Sequence, residues 1–337
     1  MKKYNVGILG ATGAVGQEMI KLLEERNFPI DNIRFFASSR SAGKKINFKN
    51  NEYLIEEAKK GVFKNIDILL GASPNDLAKE LIPSAIEDGC VVVDNSSAFR
   101  MDDEVPLIVP EVNPEAVKDH KGLIANPNCA TIIGLVAINK LNEFNKIKKI
   151  IVSTYQAVSG AGAGGITELD EQVAAISQNK EVTPKVFSHQ IAYNLIPQIG
   201  DFNKMGYSSE EMKFQNEGKK ILGNEDLKVN CTCVRVPVYR SHSESITIEF
   251  ENEMELEKAE EILKNSPGVK FIPTENNGNL PMPLDTSDQD LVFVGRVRYD
   301  MSRDDKKGLS LWCCGDQIRK GAATNAIQIA ELLIEKN

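Results

Sequence analysis

Ten residues near the start of the chain constrain its fold most. "GILGATGAVG" sets Gly7, Gly10, Gly13 and Gly16 at every third position between two patterned segments. Residues 4–9 are a short apolar run that reads as a buried strand. "VGQEMIKLLEER" follows, with Val15, Met19, Leu22 and Leu23 on one helical face and charges opposite. Strand, glycine turn and helix in that order make a phosphate cradle. Glycines let the backbone turn tightly and approach a pyrophosphate, and the helix N–H groups face the anion. The spacing is G-x-x-G-x-x-G rather than G-x-G-x-x-G, so an ordinary tight βα turn is the plain alternative. The candidate cofactor-binding residues of this loop are Gly10, Thr12, Gly13, Ala14 and Val15.

The same alternation continues. Strands are expected at 33–38, 66–73 and 90–94, with a helix over 74–88 that has Ser73 as N-cap and Pro74 in its first position. Strands that read apolar throughout and alternate with helices argue a parallel sheet covered on both faces. A site for NAD usually carries an acid at the end of the second strand to bind the ribose 2′-hydroxyl. Here that strand runs into "ASSRSAGKK", with no acid. Ser38, Arg40 and Ser41 offer hydroxyls and a guanidinium instead, which suits a 2′-phosphate and points to NADP. A basic surface loop is the alternative.

After residue 127 the texture changes. A helix is expected at 129–144, then strands at 148–158, 228–240, 243–251, 292–300 and 308–314. "SITIEF" and "FVGRVRY" alternate polar and apolar residues, as an antiparallel sheet with one open face requires. Residues 273–290 read as a long loop and 320–335 as an amphipathic helix. The fold expected is α/β: a Rossmann-type NADP-binding domain plus an α+β catalytic and dimerisation domain with a mixed, largely antiparallel sheet. The boundaries expected are 1–127, completed by the C-terminal helix 320–337, and 128–319.

Charge and cysteines narrow the function. Lys plus Arg is 40 against 48 for Asp plus Glu, a formal charge of −8, and no basic run appears. Nucleic acid is therefore not an expected partner, because phosphate neutralisation needs clustered cations. No apolar run approaches the ~18 residues that span a bilayer, so no membrane partner is expected. The six cysteines do not have zinc spacing, and no metal is expected. The two opening lysines and the apolar stretch after them resemble a signal peptide. The regular glycines and the charged segment that follows argue against one, and a reducing cytoplasm is the expected location.

"LIANPNCATIIG" puts Cys129 where a strand gives way to a helix, with Pro127 ending the strand and Asn128 placed to cap the helix. A cysteine in the first helical turn feels the helix dipole, which favours the thiolate. Most cysteines are inert and buried, so position alone is only suggestive. A thiolate also needs a proton-transfer partner, and there are three histidines. His120 lies in a charged turn, His189 in "VFSHQIAYN", and His242 between two strands with Arg235 seven residues before it. The arginine and the need for a base raise His242 above the others.

Taken together, "GATGAVG", "SSRSAG", "NPNCAT", "YQAVSGAG", "EEMK", the Arg235–His242 spacing and "GDQIRKGAATNA" resemble aspartate-β-semialdehyde dehydrogenases. These motifs fall in family order from residue 7 to residue 326. "NPNCAT" with "YQAVSGAG" sets the chain apart from glyceraldehyde-3-phosphate dehydrogenases and N-acetyl-γ-glutamyl-phosphate reductases. The resemblance implies that Cys129 forms the acyl-enzyme, His242 is the acid/base and Gln156 orients the thioacyl group. It implies that Arg235 holds the substrate α-carboxylate, Glu210 meets the ammonium, and Arg100 and Lys213 form the phosphate site, with Asn128 also substrate-binding. Ser159, Gly160 and Gln317 match positions near the nicotinamide. For Gln156 the plain alternative is a polar strand end; for Arg100, Glu210 and Lys213 it is a solvated charge.

The implied reaction is NADPH-dependent reductive dephosphorylation of L-aspartyl-4-phosphate to L-aspartate 4-semialdehyde through a Cys129 thioester. The product would feed lysine (through diaminopimelate), threonine and methionine synthesis. A homodimer is expected, with a homotetramer as the alternative. The rivals are a reductase of another acyl phosphate or acyl-CoA, and a silent NADP-binding paralogue. Cys231, Cys233, Cys313 and Cys314 have no assigned role beyond buried strand positions.

Overall fold

The structure is a computed structural model that describes residues 2–274 and 278–334. The chain divides into two compact units, Met1–Asn128 with Ala322–Asn337, and Cys129–Gly321.

The first unit holds β1 (Tyr4–Leu9), α1 (Ala14–Glu25), β2 (Ile30–Ala37), β3 (Lys45–Phe48), β4 (Asn51–Glu57), β5 (Ile68–Gly71), α2 (Asn75–Glu87), β6 (Val91–Asp94) and β7 (Leu123–Ala125). Its sheet runs β3-β4-β2-β1-β5-β6-β7, and every pair is parallel except the β3/β4 hairpin at one edge. The chain order reverses across β1, with β2 on one side and β5 on the other, so the glycine turn after β1 sits at the switch point where such sheets bind ligands. The turn is as tight as its glycines suggest. A Cβ on Gly10 (φ +87°) would stand 2.3 Å from the carbonyl oxygen of Ala72, and one on Gly16 would stand 2.3 Å from that of Gly10.

The second unit holds α3 (Cys129–Phe144), β8 (Ile147–Gln156), α4 (Ala163–Ser177), α5 (Ser209–Leu222), β9 (Lys228–Arg235), β10 (His242–Phe250), α6 (Leu256–Lys264), β11 (Val269–Ile272), α7 (Pro283–Thr286), β12 (Val292–Tyr299) and β13 (Gly308–Gly315). Its sheet runs β11-β12-β13-β10-β8-β9. The three inner pairs are antiparallel, and the outer β11/β12 and β8/β9 pairs are parallel. This is the mixed sheet expected for the second half. The chain then returns to the first unit as α8 (Thr324–Ile334). There Ala326, Ile327 and Ala330 share a core with Met19, Leu22 and Leu23 of α1.

Several elements differ from expectation. The N-cap of α2 is Pro74 rather than Ser73, with no side-chain cap, and the helix starts at Asn75. The third apolar strand is Ile68–Gly71, shorter than 66–73. The strand expected over 228–240 stops at Arg235. Pro237 lies just past that end and has no N–H for a ladder. The tail is not one helix from 320: a wide turn over Arg319–Ala323 precedes α8, and residue 335 lies outside the described residues. The loop expected at 273–290 contains the short α7. Residues 275–277 of it lie outside the described residues.

Candidate active site

Strand register assembles the site of the second unit. Gln156 ends β8 and pairs in register with Arg235, which ends β9. His242 begins β10 and pairs with Gly315, which ends β13. Side chains in register share a face. Four strand termini thus bring a glutamine, an arginine and a histidine to one end of one sheet face. Cys129 opens α3, partly exposed. Its Cβ is near Gly321, where an added Cβ would lie 2.9 Å away.

His242 is fully buried. Its Nδ1 accepts the backbone N–H of Ala157 at 3.1 Å. A neutral imidazole that accepts at Nδ1 carries its proton at Nε2. Burial, and then the charge of Arg235, push its pKa down to about 3, with Glu210 opposing. The ring is therefore neutral at ordinary pH, with its donor at Nε2.

Gln156 is fixed by its neighbours. Its Oε1 accepts the hydroxyl of Thr154 at 3.0 Å, and its Nε2 donates to Glu210 at 3.1 Å. A carboxylate only accepts, so Glu210 sets the orientation of the amide. The amide nitrogen stands 3.4 Å from Nε2 of His242. Both groups are donors, so this approach leaves the imidazole proton aimed elsewhere in the site.

Glu210 sits in the first turn of α5, where Ser208 and Glu211 form a reciprocal capping box. Glu211 also accepts the backbone N–H of Cys233 at 2.9 Å, which ties the helix to β9. Oε2 of Glu210 accepts from Lys213 at 2.9 Å, one helical turn on. Arg235 is buried, and its Nη1 donates to the carbonyl of Ala157 at 2.5 Å. Burial lowers its pKa, while Glu210 and Cys129 act to raise it. The thiol group is thus close enough for the guanidinium to favour its anion.

Ser159, Gly160 and Gln317 are also in this unit. Gln317 accepts the backbone N–H of Ser241 at 2.7 Å and donates to the hydroxyl of Ser159. Ser241, directly before the histidine, is held at φ +74°, a strained value for a residue with a side chain. A Cβ on Gly160 would lie 2.6 Å from Nη1 of Arg235 and 3.3 Å from the imidazole ring. Only glycine leaves those two groups room.

The remaining candidates belong to the first unit. Arg100 is buried and donates to the carbonyl of Asn95 at 2.7 Å. Asn128 is buried and ends the unit. The neighbouring Asn126 donates to Asn95 Oδ1 at 2.9 Å and accepts from Asn325 at 2.7 Å. Thr12, Gly13 and Ala14 are exposed, with Val15 half-buried, at the start of α1, whose first turn carries no acid. Ser38, Arg40 and Ser41 follow β2, and the Ser38 carbonyl closes a turn by accepting the N–H of Ser41 at 2.8 Å. Ser38 and Arg40 are exposed and Ser41 partly so. A cramped glycine turn at a helix start, with a guanidinium rather than a carboxylate after the second strand, fits a dinucleotide with a 2′-phosphate.

Sequence reasoning passed over Thr154, which orients Gln156, and Asp316. Fully buried, Asp316 accepts the N–H groups of Ile318, Arg319 and Asp288, and pairs with Arg240 at 2.6 Å. It braces the turn that presents Gln317. "GDQ" and the threonine directly before "YQ" are visible, but nothing in one sequence marks a bracing role. Among the described residues no cluster of His, Cys, Asp and Glu could hold a metal ion, and no helix is long and apolar enough to cross a membrane.

The fold defines a class: a two-unit α/β dehydrogenase with a nucleotide-binding unit and a mixed-sheet unit. Comparison with known proteins agrees. The semialdehyde dehydrogenase NAD-binding domain matches residues 5–120, and the semialdehyde dehydrogenase dimerisation domain matches 139–320. The chain is 52% identical to the aspartate-semialdehyde dehydrogenase of Aquifex aeolicus, over 99% of this chain and 98% of that one. The crystal structure of aspartate semialdehyde dehydrogenase II from Vibrio cholerae complexed with ASA superposes with a TM-score of 0.96 at 41% identity, covering 99% of both chains. That of the Candida albicans enzyme with NADP superposes at 0.78 with 27% identity, covering 98% of both. The chain belongs to the aspartate-semialdehyde dehydrogenase family.

Proposed function

We propose that this protein catalyses the NADPH-dependent reductive dephosphorylation of L-aspartyl-4-phosphate to L-aspartate 4-semialdehyde. The observation that carries this reading is the meeting of Gln156, Arg235 and His242 at one end of one sheet face, in a chain that opens the next unit on Cys129. Cys129 attacks the acyl carbon, and the carbon–oxygen bond to phosphate breaks. Its thiolate is favoured by the helix start and by Arg235. The backbone N–H of Cys129 is the candidate oxyanion donor. Arg235 holds the α-carboxylate through its planar fork, and Glu210 meets the ammonium. Lys213 and Arg100 stabilise the departing phosphate. Gln156 donates to the thioacyl oxygen. Gly10, Thr12, Gly13, Ala14, Val15, Ser38, Arg40 and Ser41, with Ser159, Gly160 and Gln317, would hold NADPH, which would supply the hydride. Hydride addition leaves an oxyanion on the thiohemiacetal carbon, and His242 donates a hydrogen bond to it from Nε2. The oxyanion then re-forms the carbonyl as the carbon–sulfur bond breaks, which releases the aldehyde and restores the Cys129 thiolate. Dividing the acyl reduction in two is the gain from covalent catalysis.

The test follows NADP⁺ reduction at 340 nm with L-aspartate 4-semialdehyde, with and without inorganic phosphate. Turnover that needs phosphate and falls by at least about a thousandfold in Cys129→Ser supports the reading. No turnover with NADP⁺ or NAD⁺ by folded protein overturns it.

The same reading makes the chain a homodimer in the cytoplasm, serving lysine, threonine and methionine synthesis. The dimerisation-domain match and six free thiols support it. Analytical ultracentrifugation is expected to give the mass of two 37.2 kDa chains. A monomer contradicts the assembly, and a mass of four chains replaces the dimer by a tetramer.

A further inference from the structure

Behind the catalytic row lies a second one. Glu244 stands two residues after His242 on β10, on the same face, and pairs in register with Thr154 on β8 and Cys313 on β13. Thr154 in turn pairs with Cys233 on β9. Glu244 is fully buried, and neither carboxyl oxygen has a hydrogen-bond partner among the described residues. The helix above makes room for it. A Cβ on Gly134 of α3 would stand 2.6 Å from its Oε2 and 2.7 Å from the ring of Phe214 on α5. A buried carboxyl given its own space, in a row of small side chains, is costly unless it does something.

Its register position supplies the task. Directly opposed residues of an antiparallel pair lie within about 5 Å at Cβ. The Thr154 hydroxyl spends its proton on Gln156 Oε1 and keeps its lone pairs free to accept. Resting on the reading above, in which Gln156 orients the thioacyl oxygen, we propose that Glu244 is a positioning residue. Its carboxyl, which makes no direct bond to Thr154 in the structure, donates to the Thr154 hydroxyl through one bridging water and so holds Gln156. Burial keeps that carboxyl far above the usual carboxylate range, so it carries the proton it must give. The donors then run one way, from Glu244 to Thr154 to Gln156 to Glu210, and such chains reinforce one another. Cysteines flank the row because they fill strand positions without competing strongly as donors.

The test compares Glu244→Leu, Glu244→Gln and Thr154→Val by kcat and KM, by the rate of Cys129 alkylation with iodoacetamide, and by crystal structure. Glu244→Leu and Thr154→Val are each expected to lower kcat about tenfold with KM within about twofold. The double variant is expected to lose no more than either single. Glu244→Gln, which can still donate, recovers most of the loss. Alkylation of Cys129 stays at the wild-type rate. If the leucine variant does not fold, Thr154→Val alone and with Glu244→Gln carries the comparison. Unchanged kcat overturns the proposal, as do multiplying effects. So does a kcat loss matched by slower alkylation, since that marks displacement of α3. The structures separate this proposal from the functional reading: a Gln156 amide that keeps Glu210 in both single variants overturns it even if the wild type turns over another substrate.

Discussion

His242 and Glu244 stand on the same face of one strand, both fully buried, and burial shifts them in opposite directions with the same result. Each is held uncharged. For the histidine this means a proton at Nε2 that is neither lost nor doubled across the neutral range. A histidine whose folded pKa lies below its unfolded value resists a proton that the unfolded chain accepts. Stability is therefore lost as pH falls from about 6.5 towards 3, on the order of a few kcal/mol for this group alone. Histidine NMR is expected to show one of the three rings with no titration between pH 8 and pH 5. That signal disappears in His242→Gln, whose stability falls less steeply through the same window. A ring that titrates near 6.5 would mean that His242 is solvated and that its proton is not fixed at Nε2.

At the scale of elements, local chemistry was the readable part. The glycine turn, the helix that opens on Cys129 and the alternating strands of the second half are marked by spacing and periodicity, and they formed where those patterns lie. What escaped was set by distant contacts. Nothing in "KINF" or "VKFI" announces β3 or β11, because edge strands are defined by the neighbour they add to. The single-helix reading of the tail failed because Gly321, whose added Cβ would stand 2.9 Å from that of Cys129, lies in a wide turn. The site was legible as a set of residue types; that Thr154 holds Gln156 depends on strand register, which one sequence does not print. The turn that was legible is also the most easily broken. Gly16→Ala drives a methyl to 2.3 Å from the Gly10 carbonyl, and the nearby atom is backbone that cannot swing away. Loss of roughly 1–3 kcal/mol of stability is expected, by denaturant unfolding. NADP⁺ binding, followed by calorimetry, is expected to weaken at least about tenfold, because the N–H groups at the start of α1 are re-aimed. Unaltered NADP⁺ affinity would mean that this turn is not the phosphate cradle.

For the whole molecule, the decisive fact is that the chain leaves its first unit at Asn128 and returns at Ala322. The first unit is therefore not a segment that can be cut out. Its core includes Ala323, Ala326, Ile327, Ile329 and Ala330 from the far end of the chain, packed with Met19, Leu22 and Leu23. Burying one isoleucine is worth roughly 1.5–3 kcal/mol, so two isoleucines and three alanines approach the entire 5–15 kcal/mol margin of an ordinary domain. The return is also fastened by polar contacts: Asn325 donates to Asn126 Oδ1 and to the carbonyl of Ile108, and Arg26 forms a two-pronged pair with Glu331. The Asn325 contact reaches the "NPNC" segment itself, three residues before Cys129. Residues 1–128 alone are expected to lack a cooperative thermal transition and to bind a hydrophobic dye. The same residues joined through a flexible linker to 322–337 are expected to regain the transition and NADP⁺ binding. If 1–128 folds and binds without α8, the helix is an attachment rather than part of the core. Its asparagine would then have no share in placing the segment that leads into the nucleophile.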